Sequence, residues 1–172
     1  MDDLQEQLLN RYNIEIHTYS DNTITKISSF LKQVDKITSL KKGSIIQLMD
    51  TDYICGSNHL KQAISQAIKS FDEGTNFAND KGLEICVRLS AQKQISEALK
   101  LLGIKEKGNI TAVFINSSKE QINEVCALMN TKNDDLLEEF DEELIRNVYN
   151  IKENVDIVNY LNEKIALLAL EN

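Results

Sequence analysis

The chain has 172 residues, and its 27 acidic side chains outnumber its 19 basic ones, which gives a formal net charge of −8. A hydrophobic fraction of 42% is ordinary for a globular protein, so composition excludes disorder throughout, and the length is that of one domain. No apolar run approaches the roughly 18 to 20 residues that cross a bilayer, and no export signal begins the chain, so we expect a cytoplasmic protein without membrane contact.

The first part of the chain predicts strands and a helix. Residues 1–10 are polar and acidic, and we expect them to fray. Apolar and polar residues alternate over 13–19, which predicts a strand. Asp21 or Asn22 then caps a helix with apolar residues at helical spacing. The stretch 44–55 predicts a strand, a turn or bulge, and a second strand.

The middle of the chain contains the clearest helix. It begins at Ser57 or Asn58, and its apolar residues recur at the spacing of one helix face. The segment 74–82 is the loosest connection in the chain. Alternation over 83–90 predicts a strand that buries its leucine, isoleucine and valine side chains and exposes Arg88 on the opposite face.

The second half predicts helices around one central strand. Ser90 caps a helix that ends at Gly103 in a left-handed conformation, and residues 110–115 are apolar on both faces. Ser117 and Glu120 have the spacing of a capping box for the next helix. The rest is predicted helical, with one strongly acidic stretch that we interpret as a solvated face.

These patterns predict an α/β (α+β) fold. A single domain over residues 1–172 would contain a small central mixed or antiparallel sheet of about four to five strands, flanked by helices and followed by a helical C-terminus.

Motifs for nucleotide and metal chemistry are incomplete. The glycines at 103 and 108 have phosphate-loop spacing, but Asn109 and Ile110 stand where lysine and serine or threonine are required. His17 and His59 are both expected at the surface. The three cysteines are Cys55, Cys86 and Cys126. They lack the spacing of a metal site, and we expect their thiols to be reduced. We therefore predict a non-enzymatic binding domain with no catalytic residue, no cofactor and no metal site.

Several segments resemble the signature of one family. They are residues 59–67, Glu84-Ile85-Cys86-Val87-Arg88-Leu89-Ser90, residues 94–104 and the closing 163–170. Together they resemble the kinase-binding subunit of the KEOPS complex, the family of the PRPK-binding protein, in its archaeal branch. The similarity covers most of the chain from residue 44 onward and is most specific over 84–104.

The resemblance implies a non-catalytic regulatory subunit of the assembly that forms threonylcarbamoyladenosine in tRNA. Such a subunit binds and stimulates the kinase-like ATPase subunit of the PRPK family and meets the other KEOPS subunits indirectly. In archaea it also holds the 3′ CCA end of tRNA, although the net charge of −8 fits phosphate binding poorly.

Two candidate surfaces follow. For tRNA, the resemblance implies the edge formed by residues 83–90 and the next helix, extended by the start of an earlier helix: Arg88, Ser90, Lys93, Gln94, His59 and Lys61. For the kinase, the last helix carries more apolar side chains than one core-facing stripe needs: Ile165, Leu167, Leu168 and Leu170.

Two other functions remain open at this point. One is a small-molecule-binding regulatory domain or cryptic enzyme, unrelated to tRNA, that uses the loop 74–82 as a lid. The other is a kinase regulator without RNA contact.

Overall fold

A four-stranded antiparallel sheet forms the centre of this computed structural model, a single α+β domain. The structure describes residues 3–171, without the side chains of Asp3 and Leu4. The strand order is β2-β3-β1-β4. The strands are β1 (Ile14–Thr23), β2 (Ile45–Asp50), β3 (Lys107–Ile115) and β4 (Thr131–Lys132).

Helices cover both faces of the sheet and form the C-terminal part of the domain. None of those within residues 3–171 has the length and apolar character to cross a membrane. They are α1 (Asp3–Asn10), α2 (Ile27–Thr38), α3 (Gly56–Glu73), α4 (Lys81–Ser90), α5 (Ile95–Leu102), α6 (Lys119–Leu128), α7 (Glu142–Tyr149) and α8 (Ile157–Leu168), with short 3₁₀ helices at Thr51–Tyr53 and Asp134–Glu138.

The core divides at the sheet, because successive side chains of a strand point to opposite faces. Val113 and Ile115 of β3 pack with the apolar faces of α3 and α4, whereas Ala112 and Phe114 pack with α2 and α6. A third apolar cluster lies beneath α7 and α8, where Ile145 meets other buried side chains. The prediction of a central strand over 110–115 is confirmed.

The first part of the chain differs from the prediction near its start and after β2. Residues 3–10 form α1, and residues 1 and 2 lie outside the described part of the chain. The second strand expected within 44–55 is a 3₁₀ turn, because the Asp50 carboxylate accepts a hydrogen bond from the backbone N–H of Asp52 at 3.1 Å. That bond turns the backbone out of the sheet.

The strand predicted over 83–90 is also wrong, because this segment lies within α4. The Asp80 side chain accepts a hydrogen bond from the Leu83 N–H at 2.8 Å and so caps the helix. From Gly82 to Ser90 the helix is buried on nearly every side, Leu83 being half-buried. A helix with so little solvent-facing surface does not show polar residues at a period of 3.6. The chance alternation of apolar and polar residues over 83–90 therefore favoured a strand.

A buried ion pair holds α4 in place. Arg88 Nε donates to Glu84 Oε2 at 2.7 Å, and the two side chains are 1% and 0% exposed. The other carboxylate oxygen accepts from the N–H groups of Phe77 and Ala78, at 2.9 and 2.7 Å. Arg88 also donates to the Thr75 carbonyl and lies over the Phe77 ring. The pair therefore anchors the loop between α3 and α4.

Several helix ends depart from the predicted caps. The capping box of α6 uses Ser118 and Gln121, one position after the predicted pair. Gln94, not Ser90, precedes α5. Gly103 has a φ of −61°, which is not left-handed. Glycine is required at this position because a Cβ would lie 2.5 Å from the Leu99 carbonyl oxygen. Ala91, which ends α4, adopts the left-handed conformation, with a φ of 55°.

We expect Glu84→Gln to lower the free energy of unfolding by about 3–5 kcal/mol, because it leaves the Arg88 guanidinium buried without a counter-charge. Urea unfolding measures this change. The matched control is Glu97→Gln, which breaks an exposed pair with Lys100 and should cost about 0–1 kcal/mol. Equal costs for the two variants would contradict the structural role of the buried pair.

We expect Ala91→Gly to stabilise the protein by about 1 kcal/mol, because glycine adopts the left-handed conformation without the steric cost that alanine has there. The melting temperature should rise by about 2–4 °C. Ala169→Gly is the control, since Ala169 ends α8 in a right-handed conformation and should gain nothing. A melting temperature for Ala91→Gly at or below that of the unsubstituted protein would contradict the expectation.

Candidate functional site

Helix α8 separates the predicted kinase-binding residues into two groups. Ile165 is 0% and Leu168 is 4% exposed, and both belong to the protein's own core. Leu167 and Leu170 are 49% and 80% exposed. In this fold the helix needs the stripe with Ile165 and Leu168 to pack, so only Leu167 and Leu170 of the four predicted residues are exposed for a partner.

Hydrogen bonds define both ends of α8. The Asp156 carboxylate caps its first turn by accepting from the Asn159 N–H at 2.9 Å. At the other end, backbone N–H groups of Leu170 and Glu171 donate to carbonyls of the last helical turn. The exposed leucines Leu167 and Leu170 thus lie on an ordered surface, which we call the α8 end.

The residues predicted to bind tRNA do not form one exposed patch. Arg88 is paired with Glu84, and Ser90 is buried with its hydroxyl donating to the Cys86 carbonyl at 2.8 Å. The solvent-facing position expected for Arg88 is wrong, because α4 is a helix inside the core. As folded, neither side chain is accessible to a phosphate.

His59 is a structural residue in this fold and not a surface one. Its Nδ1 accepts a hydrogen bond from the Cys55 N–H at 3.0 Å, so Nε2 carries the proton and donates to the Leu89 carbonyl at 3.1 Å. Burial lowers the pKa of His59 to about 4, which keeps the ring neutral at physiological pH. Its two hydrogen bonds join the start of α3 to the end of α4.

The remaining predicted residues are accessible but separated. Lys93 and Gln94 lie exposed in the turn between α4 and α5, and Lys93 Nζ is 2.6 Å from Glu171 Oε2, beside the α8 end. Lys61 lies on α3 and lines a different groove, together with Ser57 and Glu138. Of the predicted set, Lys93 therefore lies beside the α8 end through its contact with Glu171, and Gln94 follows it in the turn.

A groove of about 460 Å³ lies next to this surface, between the α4–α5 turn and helices α7 and α8. We call it the α5–α8 groove. Basic and aromatic side chains line it together with amides: Gln92, Lys100, Tyr149, Asn150, Tyr160 and Lys164.

The α5–α8 groove combines cations with an aromatic ring. Lys164 Nζ lies 5.4 Å from the centre of the Tyr160 ring, one helical turn away on α8. Lys100 is exposed and lies 3.3 Å from Glu97, the carboxylate at this groove. Tyr149 donates its hydroxyl to the Tyr53 carbonyl at 3.0 Å, so its ring is held in place. Rings and cations at such a surface suit unpaired nucleotides.

The predicted site residues do not include Lys100, Tyr160 and Lys164. The spacing of Tyr160 and Lys164 places them on one face of the last predicted helix, which was a usable signal. Nothing in the sequence shows that α7 and the α4–α5 turn meet this face, because those contacts join distant parts of the chain.

The cysteines are arranged as structural thiols. Cys55 and Cys86 are buried, and burial raises the pKa of each thiol to about 12. Cys126 is half-buried. Among the described residues no three histidine, cysteine or acidic side chains are grouped to hold a metal ion.

Comparison with known proteins gives two concordant matches. A family model described as "Kinase binding protein CGI-121" matches residues 7–169. The chain is also 32% identical over 132 residues to a protein of Methanocaldococcus jannaschii named "Regulatory protein Cgi121", a match that covers 75% of this chain and 86% of that protein. The chain therefore belongs to the CGI-121 kinase-binding protein family.

Proposed function

We propose that this protein is a non-catalytic regulatory subunit of a KEOPS complex and that it docks on the kinase-like ATPase subunit through the α8 end. The observation that supports this proposal most is the exposure of Leu167 and Leu170 on an ordered helix end. Large apolar side chains held in one geometry suit a protein interface, because burying them costs little further ordering. The family match supports a kinase as the partner.

Binding at the α8 end would act on the ATPase without chemistry from this chain. The threonylcarbamoyl transfer to tRNA, and the ATP hydrolysis, then belong to other subunits in the cytoplasm. The buried His59 and thiols of this domain serve its fold, as their hydrogen bonds and burial indicate.

We propose further that the unpaired 3′ CCA end of tRNA lies in the α5–α8 groove. Lys100, Lys164 and the nearby Lys93 supply positive charge, and Tyr160 offers a ring on which a base can stack. This placement replaces the predicted contacts through Arg88, Ser90 and His59, whose side chains are buried. Lys93 and Gln94 follow Gln92, which lines the groove, and Lys93 contacts Glu171 at the α8 end.

The alternative of an enzyme or metabolite-binding domain with residues 74–82 as a lid has less support. Ala78 is buried, and backbone N–H groups of this loop donate to the buried Glu84 carboxylate. Opening such a lid would leave that carboxylate without two of its donors.

We expect the double variant Leu167→Glu, Leu170→Glu to bind the kinase-like ATPase at least ~30-fold more weakly, equivalent to about 2 kcal/mol, because charges replace apolar contact residues. Calorimetry with the purified subunits measures the affinity. Leu40→Glu is the matched control, since Leu40 is 56% exposed but lies in the turn after α2. Unchanged affinity for the double variant would remove the proposed docking surface.

For tRNA, we expect Lys100→Ala and Lys164→Ala each to weaken binding and to reduce the slope of log affinity against log salt by about 0.7, the value for one contact to an unpaired strand. Lys36→Ala, an exposed lysine on α2, should leave the slope unchanged. The comparison uses intact tRNA and tRNA without its terminal CCA. If all variants bind both RNAs equally, the protein does not hold the CCA end in this groove.

A further inference from the structure

Among residues 3–171, no strand lies beside the outer edge of β2. β2 pairs with β3 on one side and is the last strand of the sheet on the other. An apolar groove of about 470 Å³ runs along this free edge, which we call the β2 groove. Its floor is formed by residues 45–48, and helices α2, α4 and α5 form its walls.

The hydrogen bonds show which backbone groups of β2 face the groove. The Ile45 carbonyl accepts a hydrogen bond from the hydroxyl of Ser117, which follows β3. Ile45 and every second residue after it therefore direct their backbone N–H and C=O groups toward β3. Ile46 and Leu48 therefore direct their N–H and C=O groups away from the sheet. Within residues 3–171, the one hydrogen bond found to these four groups runs from the Gln47 side-chain amide to the Leu48 carbonyl, at 3.1 Å.

That bond occupies one of the four groups and leaves the other three without a hydrogen-bond partner among residues 3–171. The Gln47 side-chain amide donates to the Leu48 carbonyl, an acceptor that a neighbouring strand would otherwise use. A Cβ on residue 82 would lie only 2.5 Å from the Gln47 side-chain oxygen. A glycine at the start of α4 thus leaves room for the Gln47 side chain beside the edge. The amide can rotate away when a peptide N–H takes its place.

The walls of the β2 groove are apolar and carry two exposed leucines. Leu31 of α2 is 39% exposed, and Leu99 of α5, on the other wall, is 36% exposed. Leu83 and Val34 extend these walls toward the strand. Side chains of an added strand would alternate between the two walls and meet apolar atoms on both.

The charges at the groove are mainly negative. Asp35 and Asp80 are exposed there, and Asp35 has no ion-pair partner among residues 3–171. The nearby cation, Lys81, lies 5.7 Å from the centre of the Tyr12 ring, to which it is directed. An occupant with basic residues beside its apolar segment would match this distribution.

We propose that the β2 groove binds an extended segment of a partner protein, apolar in its middle and basic at its ends, as a fifth strand antiparallel or parallel to β2. A second copy of this domain does not fit, because its own β2 is recessed between the same helices. Two recessed edges cannot approach to the strand spacing of about 4.8 Å. The site is separate from the α8 end and from kinase docking there.

The test uses a labelled synthetic peptide of about eight residues, with arginine at each end and valine and threonine between them. We expect a dissociation constant below about 1 mM by fluorescence anisotropy. Two further peptides carry N-methyl groups on alternate amides, in opposite phase. In one of these, the methyl groups face β2 and should weaken binding about tenfold, whereas the other should bind nearly normally.

Amide hydrogen exchange gives the backbone readout. The Ile46 and Leu48 amides should become protected when the peptide binds, while those of Gln47 and Met49, already paired with β3, should not change. Leu31→Lys should weaken binding about tenfold, and the control Leu40→Lys should not. Asp35→Lys should weaken the arginine-ended peptide and favour a glutamate-ended one.

Three results would each overturn the proposal. One is the absence of binding at millimolar peptide. Another is binding that leaves the Ile46 and Leu48 amides unprotected. The third is a dimer in sedimentation whose Ile46 and Leu48 amides are protected without peptide, which would make the edge a contact between copies of the chain.

Discussion

The buried pair of Glu84 and Arg88 is the interaction on which the arrangement of the domain depends. Removing two charges from water costs several kcal/mol for each, and the cost is offset only where geometry and hydrogen bonds are favourable. Here the carboxylate accepts from the guanidinium, from two backbone N–H groups and, at 3.4 Å, from the Ser70 hydroxyl. These bonds join α3, the loop after it and α4.

The hydrogen bonds that join α3, the loop after it and α4 also position the functional surfaces. α4 leads into the turn that carries Lys93 and Gln94, and His59 ties the start of α3 to the end of the same helix. α8 packs beside α3 and α4, with Ile165 and Leu168 in the core, so Leu167 and Leu170 face outward. Glu84 and Arg88, which lie in the segment that carries the sequence resemblance, thus build the support, whereas Leu167 and Leu170 form part of the exposed surface.

Much of the fold was predictable because simple periodicity is strong in β1, β3 and α3. The strand expected over 83–90 failed because α4 is buried on nearly all sides, and the sequence contains no sign of which neighbours surround it. Of the candidate site, the apolar excess near Leu167 and Leu170 was predictable from helical spacing. The burial of Arg88 and the grouping of Lys100 with Lys164 depend on contacts between distant segments, so no local pattern could reveal them.

The proposed docking surface is tested most directly by hydrogen–deuterium exchange on this protein alone and in complex with the kinase-like ATPase subunit. We predict that binding protects the backbone of residues 166–171, at the α8 end, and leaves the exchange of α2 and the β2 edge unchanged. Protection confined to other surfaces, with residues 166–171 exchanging as in the free protein, would contradict it.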